Sequence, residues 1–307
     1  MSAIPFVTLD EPRYGAAVDV SPLVRRVIAN NPSKYTYMGT GTYIIGHGDV
    51  AVIDPGPMLD EHRDALAAAL EGERVRVILV THCHSDHSPL AAWLRDITGA
   101  PTIAFGPHGS VETDPEVDDE IDDGVTLEET TDLEFDPDVR VGDGEVAAMG
   151  VGWTMRAVHT PGHTSNHTSF ALDEERALFT GDHVMGWSTT VVSPPDGDMR
   201  AYIDSLRKVM DRHDATLWPT HGAPVTSPGP YLEAFLRHRL ERETQILAAV
   251  RSGQCDIEGM VKTMYADVRE ELHKAAARSV LSNLIKLVDD GVVTVEGKGK
   301  SARYMPN

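Results

Sequence analysis

The stretch THCHSDH, residues 81–87, decides how the rest of the chain is interpreted. It follows an apolar run and places three histidines and one aspartate within six positions. Alternate residues of an extended chain point to the same side, so His82 and His84 can converge on one ion. Asp86 and His87 follow where the chain changes direction and can face a second point. Imidazole and carboxylate are donors that zinc accepts. The stretch therefore predicts a metal site at the end of a buried strand.

Length and composition indicate a globular protein with one large and one small domain. The chain has 307 residues, of which 41% are apolar and 24% are charged. Its two cysteines, Cys83 and Cys255, exclude a disulfide framework. The first residues lack the basic start and apolar stretch of a signal peptide. No apolar run is long enough to span a membrane. We therefore expect a cytoplasmic protein without a membrane segment.

The acidic charge is unevenly distributed. The formal net charge is -21, yet residues 231–307 hold 12 basic and 11 acidic side chains. Residues 111–145 alone carry 16 acidic side chains and one basic side chain. We place the whole acidic insert at residues 106–145. It is either a solvated surface excursion or a lid near the site that disfavours polyanionic substrates.

Hydrophobic periodicity outlines the order of the elements. Strands are predicted at residues 43–45, 50–53, 75–80, 102–105, 146–149, 153–158, 168–172, 177–180 and 216–219, and helices at 60–70, 89–97, 199–212 and 231–251. This order predicts an α/β fold in which helices cover sheets. After the last of these helices come two shorter predicted helices, 257–265 and 272–289, and a predicted hairpin. That sequence of elements is the outline of a small winged-helix module.

Three later segments carry the same kinds of side chain as the histidine loop: TPGHT (160–164, with His163), FTGD (179–182, with Asp182) and THG (220–222, with His221). A turn, DPG (54–56), precedes the loop. Together with the H-x-H-x-D-H pattern, their order resembles that of the metallo-β-lactamase superfamily. The resemblance covers residues 36–225 and implies an αββα sandwich.

The resemblance also implies two zinc ions (Zn²⁺) per chain. Its implied ligands are His82, His84 and His163 for one ion, Asp86, His87 and His221 for the other, and Asp182 as a bridge. A bound zinc lowers the pKa of water to about 7. The implied chemistry is attack by a metal-bridging hydroxide, with Asp86 and Asp182 as candidate catalytic residues.

Residues beside the implied ligands have more ordinary expected roles. We expect Cys83 to be a small buried residue. We expect His159 and His167 to hydrogen-bond to ligands rather than to bind metal, and Asp54 to order its own turn or to hold a ligand histidine. The candidate substrate contacts are Asn166, His183 and Trp187.

Over nearly its whole length the chain is similar to the β-lactamase-like protein 2 group, which has a C-terminal winged helix. The similarity lies in residues 181–190, 197–206 and 238–243. It implies a hydrolase domain over 1–230, and a linker helix with a winged helix over 231–307. That group includes an endoribonuclease, and fungal polyketide carrier-protein thioesterases resemble it. The acidic insert departs from the familiar pattern.

The favoured prediction is a dinuclear-zinc hydrolase that cleaves an ester or thioester of a small or carrier-linked acyl substrate. A metal-dependent phosphodiesterase or endoribonuclease acting on single-stranded RNA is the first alternative. A nucleic-acid-binding regulator with a sensor domain, or a single-iron oxygenase, ranks lower. The predicted recognition helix carries Lys274, Arg278 and Lys286, but its domain lacks a dense basic surface. We expect the tail to pack on the hydrolase domain or to form a homodimer.

Overall fold

The computed structural model describes residues 4–110, 131–266 and 273–307. Within these ranges the strands are β1 (Val18–Asp19), β2 (Val24–Ile28), β3 (Gly41–Ile45), β4 (Asp49–Ile53), β5 (Arg74–Leu79), β6 (Thr102–Ala104), β7 (Val139–Arg140), β8 (Val146–Gly150), β9 (Trp153–His159), β10 (Thr168–Leu172), β11 (Ala177–Gly181), β12 (Thr216–Pro219), β13 (Val293–Glu296) and β14 (Arg303–Pro306). The helices are α1 (Asp60–Ala69), α2 (Leu90–Thr98), α3 (Met199–Arg212), α4 (Pro228–Arg251), α5 (Ile257–Met264) and α6 (His273–Asp289). No helix in these ranges combines the length and apolar character needed to cross a membrane.

Two sheets face each other at the centre of the larger domain. One contains β1 to β7 in sequence order, and the other has the order β12-β11-β10-β9-β8. One apolar core lies between the sheets, a second lies between the first sheet and helices α1 and α2, and a third lies between the second sheet and helices α3 and α4. Four layers result, so the predicted αββα sandwich is confirmed.

Strand β5 shows why the sequence adopts this arrangement. Val77 and Leu79 point into the core between the sheets, whereas Ile78 and Val80 belong to the core beneath α1 and α2. Side chains alternate along a strand, so a segment buried on both faces appears as a continuous apolar run, here residues 77–80, whereas Arg74 and Arg76 earlier in β5 are exposed. The run ends where THCHSDH begins. The histidine loop therefore starts at the carboxyl end of a central strand.

Helix α4 connects the two parts of the chain. Tyr231 and Phe235, near its start, pack in the core with α3, whereas Ile246 and Val250, near its end, pack in the C-terminal core. Helices α5 and α6 and the antiparallel hairpin β13–β14 complete that second core. The winged-helix prediction is confirmed. The domain division at residue 230 stays a prediction, because α4 contributes to both cores.

The structure describes only the second part of the acidic insert. Residues 111–130 lie outside the described residues, so for them both interpretations stay open. The following segment is built into the fold: β7 pairs in parallel with β6, and Phe135 and Val141 are buried. This part is therefore attached to the first sheet, although most of its side chains are exposed. A two-residue strand with both side chains exposed is too short to show an apolar period.

Candidate metal centre

The seven predicted metal ligands come together from four separate segments. Three groups of side chains each place one donor atom per residue within 4.8 Å of the others. These groups are His82–His84–His163, His82–His87–Asp182 and Asp86–His87–His221. We call the first the three-histidine cluster and the last the mixed cluster.

The donor spacing in the three-histidine cluster fits a tetrahedral ion. Nδ1 of His84 lies 2.9 Å from Nε2 of His82 and 3.2 Å from Nε2 of His163. Zinc–nitrogen bonds of 2.0–2.1 Å at the tetrahedral angle separate two nitrogens by about 3.3 Å. The three imidazoles can therefore hold one ion with only small adjustments.

Asp182 stands between the two clusters. Its Oδ1 lies 3.4 Å from Nε2 of His221 and 3.6 Å from Nε2 of His87, whereas its Oδ2 lies 3.9 Å from Nε2 of His163. In the mixed cluster, Oδ2 of Asp86 is 3.2 Å from Nε2 of His221 and 3.4 Å from Nε2 of His87. The two oxygens of Asp182 thus face different clusters, so this carboxylate can reach an ion in either one.

Asp54 holds one histidine of the mixed cluster. Its buried carboxylate accepts hydrogen bonds from Nδ1 of His87 at 2.9 Å and from the backbone N–H of Thr81 at 2.8 Å. Asp54 itself has φ +48°, a left-handed conformation that a short polar residue tolerates in a turn. Fixing the proton on Nδ1 leaves Nε2 of His87 available to a metal. Asp54 therefore orients a histidine that we predict to be a ligand.

Backbone carbonyls orient two more histidines. Nδ1 of His163 donates to the carbonyl of Val191 at 2.7 Å, and Nδ1 of His221 donates to the carbonyl of Gly39 at 3.2 Å. In both rings Nε2 is the atom turned toward Asp182. His167 acts on the backbone instead, since its Nε2 accepts the N–H of Asp182 at 3.2 Å.

The two clusters differ in their electrostatics. Burial lowers the pKa of His84 to about 3 and lowers the pKa of His82 well below its usual value, so both imidazoles are in the neutral form that binds metal. Burial opposes charge on His87 too, but Asp86 and Asp182 raise its pKa to about 9. The mixed cluster therefore attracts positive charge, whereas the three-histidine cluster offers neutral nitrogens.

Unpaired buried atoms show that a divalent ion fits this centre. Within the described ranges, Nε2 of His87 and Oδ1 of Asp182 are buried and have no hydrogen-bond partner. Asp182 is ionised, because nearby histidines, His221 foremost, hold its pKa well below the usual range despite its burial. Buried polar atoms without a hydrogen bond are costly. Positive ions between these donors would remove that cost.

Two of the three candidate substrate contacts are turned away from solvent. Nδ2 of Asn166 donates to Sγ of Cys83 at 2.9 Å and to the carbonyl of Gly106 at 3.0 Å. His183 is fully buried, with its ring centroid 4.9 Å from that of Tyr202. Both side chains are buried, as the candidate metal ligands are, and their role as substrate contacts stays a prediction. Cys83 is buried as expected, and burial raises its thiol pKa to about 12.

Trp187 is the candidate that retains an exposed surface. It is half-buried and stacks on Tyr37, with centroids 5.0 Å apart and planes 11° from parallel. A Cβ on Gly222 would lie 3.1 Å from Cδ1 of Trp187, so the indole stands beside the residue that follows His221. Sequence reasoning missed Tyr37, whose φ of +57° marks a strained position.

Two other supporting residues were missed. Oγ1 of Thr40 donates to Oδ2 of Asp86 at 2.8 Å. Arg26 is buried in β2 and donates to the carbonyls of Thr220 at 2.9 Å and Gly222 at 2.7 Å, which flank His221. Neither lies in a recognisable motif, and β2 itself was not predicted. Only the tertiary structure brings them to the site.

Known proteins share both parts of this architecture. The chain matches the family described as "Metallo-beta-lactamase superfamily" over residues 36–221 and "Beta-lactamase associated winged helix domain" over 257–301. It is 30% identical over 298 residues to an atrochrysone carboxyl ACP thioesterase from Aspergillus chevalieri, with 93% of this chain and 87% of the relative covered. It is 32% identical over 281 residues to the beta-lactamase-like protein 2 homolog of Caenorhabditis elegans, with 89% and 87% covered.

A solved structure supports the same fold. The crystal structure of a beta-lactamase domain protein from Burkholderia ambifaria superposes with a TM-score of 0.78 at 21% identity, covering 96% of this chain and 95% of that one. At this identity the similarity concerns the fold alone. It extends across the C-terminal helices as well as the sandwich.

Proposed function

Because the chain belongs to the metallo-beta-lactamase superfamily, and is thus a metal-dependent hydrolase, we propose that it uses two zinc ions to cleave an ester or thioester. Its proposed substrate is a small or carrier-linked acyl compound. The observation that carries the proposal is the position of Asp182. One of its carboxylate oxygens faces the three-histidine cluster, and the other faces the mixed cluster.

The proposed ligands are the three-histidine cluster for one ion and the mixed cluster for the other, with Asp182 shared. Zinc bound there would supply a Lewis acid and lower the pKa of a bound water to about 7. The protein's own contribution is orientation. Thr40 donates a hydrogen bond to the carboxylate of Asp86, and Asp54 accepts one from Nδ1 of His87. Asp86 and Asp182 are accordingly the proposed catalytic residues, because they reach the centre and their positions are fixed by the fold.

A carrier-linked thioester is the favoured substrate class. The relatives named as ACP thioesterases align over nearly the whole chain, including the C-terminal region. A thiol has a pKa of about 8.5, so a thiolate departs without first accepting a proton. Such a substrate makes no demand for an additional proton donor beside the centre. The half-exposed stack of Trp187 on Tyr37 offers an apolar surface for an acyl chain.

The C-terminal basic side chains give little support to nucleic-acid binding. On α6, Nη1 of Arg278 lies 3.2 Å from Oγ of Ser193. Lys286 pairs with Glu243 at 2.7 Å and with Asp290 at 2.8 Å. These cations are used in internal contacts, and the net charge of -21 disfavours a polyanion. RNA cleavage is therefore the outcome to be excluded by experiment.

Zinc-loaded protein should be assayed in parallel on acyl-pantetheine thioesters, on an acyl carrier protein thioester and on labelled single-stranded RNA. We expect thioester turnover that falls at least about a hundredfold in Asp182→Ala, because this variant loses the shared ligand. RNA cleavage that disappears in Asp182→Ala, without thioester turnover in the wild type, would overturn the proposal. Equal turnover by wild type and variant would indicate a contaminating activity.

A further inference from the structure

A short segment behind the metal centre contacts two of the proposed ligands. In this segment, residues 190–196, the carbonyl of Val191 accepts Nδ1 of His163 at 2.7 Å. The hydroxyl of Thr190 donates to the backbone carbonyl of Asp182 at 2.7 Å. Two adjacent residues therefore set the ring orientation of one ligand and the backbone position of another. We call residues 190–196 the support segment.

Arg239 of helix α4 fixes the first residue of the support segment. Its Nη2 donates to the carbonyl of Thr190 at 2.6 Å, and its guanidinium lies over the ring of Tyr202, 4.8 Å from the centroid. The side chain is 5% exposed. The hydroxyl of Tyr202 donates in turn to the carbonyl of His183 at 2.9 Å. Arg239 is thus a buried cation held between an aromatic ring and one backbone carbonyl.

Helix α6 provides a second contact with the same region. Nη1 of Arg278 lies 3.2 Å from Oγ of Ser193, inside the support segment. In the first turn of α3, Arg200 pairs with Asp290 at 2.8 Å. Helices α4 and α6 and the residue after α6 therefore contact the chain from the support segment to the start of α3. None of their described residues belongs to the metal clusters.

We propose that Arg239 is a positioning residue for the metal centre, acting through Thr190 and Val191 on Asp182 and His163. A charge-assisted hydrogen bond in a buried setting is stronger than a neutral one, and without it the Thr190 carbonyl would have to find a new partner. Residues that orient metal ligands typically contribute 10–100-fold to metal affinity. The inference rests on the proposed metal centre, and it gives the C-terminal region a function in forming that centre.

Two variants of Arg239 and one matched control test this role. Arg239→Met keeps most of the aliphatic stem but removes the donors and the charge, and Arg239→Lys keeps the charge with a single donor group. Arg242→Met is the control. Arg242 lies on the same helix and also stacks on an aromatic ring, Tyr265 at 4.6 Å, but it donates to Gln245 and not to the support segment.

Zinc affinity should be measured by competition with a chromophoric chelator, alongside urea unfolding of the metal-free proteins. We expect Arg239→Met to weaken zinc binding by about 10–100-fold, Arg239→Lys to weaken it less, and Arg242→Met to retain wild-type affinity. The visible spectrum of cobalt-loaded protein, which reports ligand geometry, should change in Arg239→Met but not in the control.

The outcomes separate the inference from the proposed function. Failure of the wild type to bind zinc would reject the proposed metal centre itself. Suppose instead that the wild type binds zinc tightly and that folded Arg239→Met has the same zinc affinity and cobalt spectrum. That result would reject only the positioning role, even if the variant were less stable. If Arg239→Met does not fold, Arg239→Lys decides the matter: weakened affinity supports the role, and wild-type affinity overturns it.

Discussion

Replacing Asp54 with asparagine tests how the fold fixes the proton of a metal-facing imidazole. The Asp54 carboxylate accepts from Nδ1 of His87 at 2.9 Å and from the Thr81 backbone at 2.8 Å. In Asp54→Asn the amide oxygen can stay with the Thr81 N–H, which leaves the NH₂ group facing His87. Nδ1 of His87 must then accept a hydrogen bond from this NH₂ group, and the ring proton moves to Nε2 of His87. That atom faces Asp86 and Asp182, and once protonated it cannot bind a metal.

The expected loss is confined to one ion. Loss of the partner that orients a ligand histidine costs about 10–100-fold in metal affinity, or about 1.4–2.7 kcal/mol. Titrating zinc into the metal-free variant in a calorimeter should show one step weakened by that amount and the other near wild type. The weakened step belongs to the mixed cluster because His87 belongs to it.

Asp138→Asn is the matched control. Asp138 also accepts from the backbone N–H and the hydroxyl of a threonine, Thr102, each at 2.9 Å. Asp138→Asn therefore removes a carboxylate with similar hydrogen bonds. Unlike Asp54, Asp138 has, among the described residues, no hydrogen bond to a proposed ligand. Two wild-type zinc steps in Asp54→Asn, or the same weakening in Asp138→Asn, would refute the tautomer argument.

Other substitutions test the packing and the supports of the centre. Gly162→Ala should destabilise folding by about 2–4 kcal/mol in urea, because φ is +132° and the new Cβ would collide with the Tyr202 backbone; unchanged unfolding would contradict this. Thr40→Val removes the 2.8 Å hydrogen bond to Asp86 and should lower kcat/KM about tenfold, a loss of about 1.4 kcal/mol; full activity would show that this bond is dispensable. Phe235→Ala empties a fully buried position and should cost about 3–5 kcal/mol in urea; a loss below about 1 kcal/mol would show that the α4 contact is loose.

Strong apolar periods made most of the central elements predictable. The predicted helix 199–212 and strands 168–172 and 216–219 coincide with the observed elements. The histidine loop was recognisable because its donors are adjacent in the chain. The segments carrying His163 and His221 were recognisable because the family pattern has a fixed order.

The parts that the sequence did not reveal depend on tertiary contacts. Strand β2 carries two arginines, and one of them, Arg26, is buried against the carbonyls beside His221, so its apolar pattern is interrupted. Asn166 and His183 lie within three positions of proposed ligands in the chain, but their neighbours in space bury them. The carbonyl of Val191 orients His163 through its backbone, and no side-chain pattern records such a contact.

Elemental analysis of the purified protein tests the central claim most directly. Two zinc ions per chain are predicted, because seven donors converge in two clusters that share Asp182. Asp182→Ala should reduce that number under the same conditions while the protein remains folded. One iron ion per chain in the wild type would contradict the two-zinc assignment and the hydrolytic chemistry built on it.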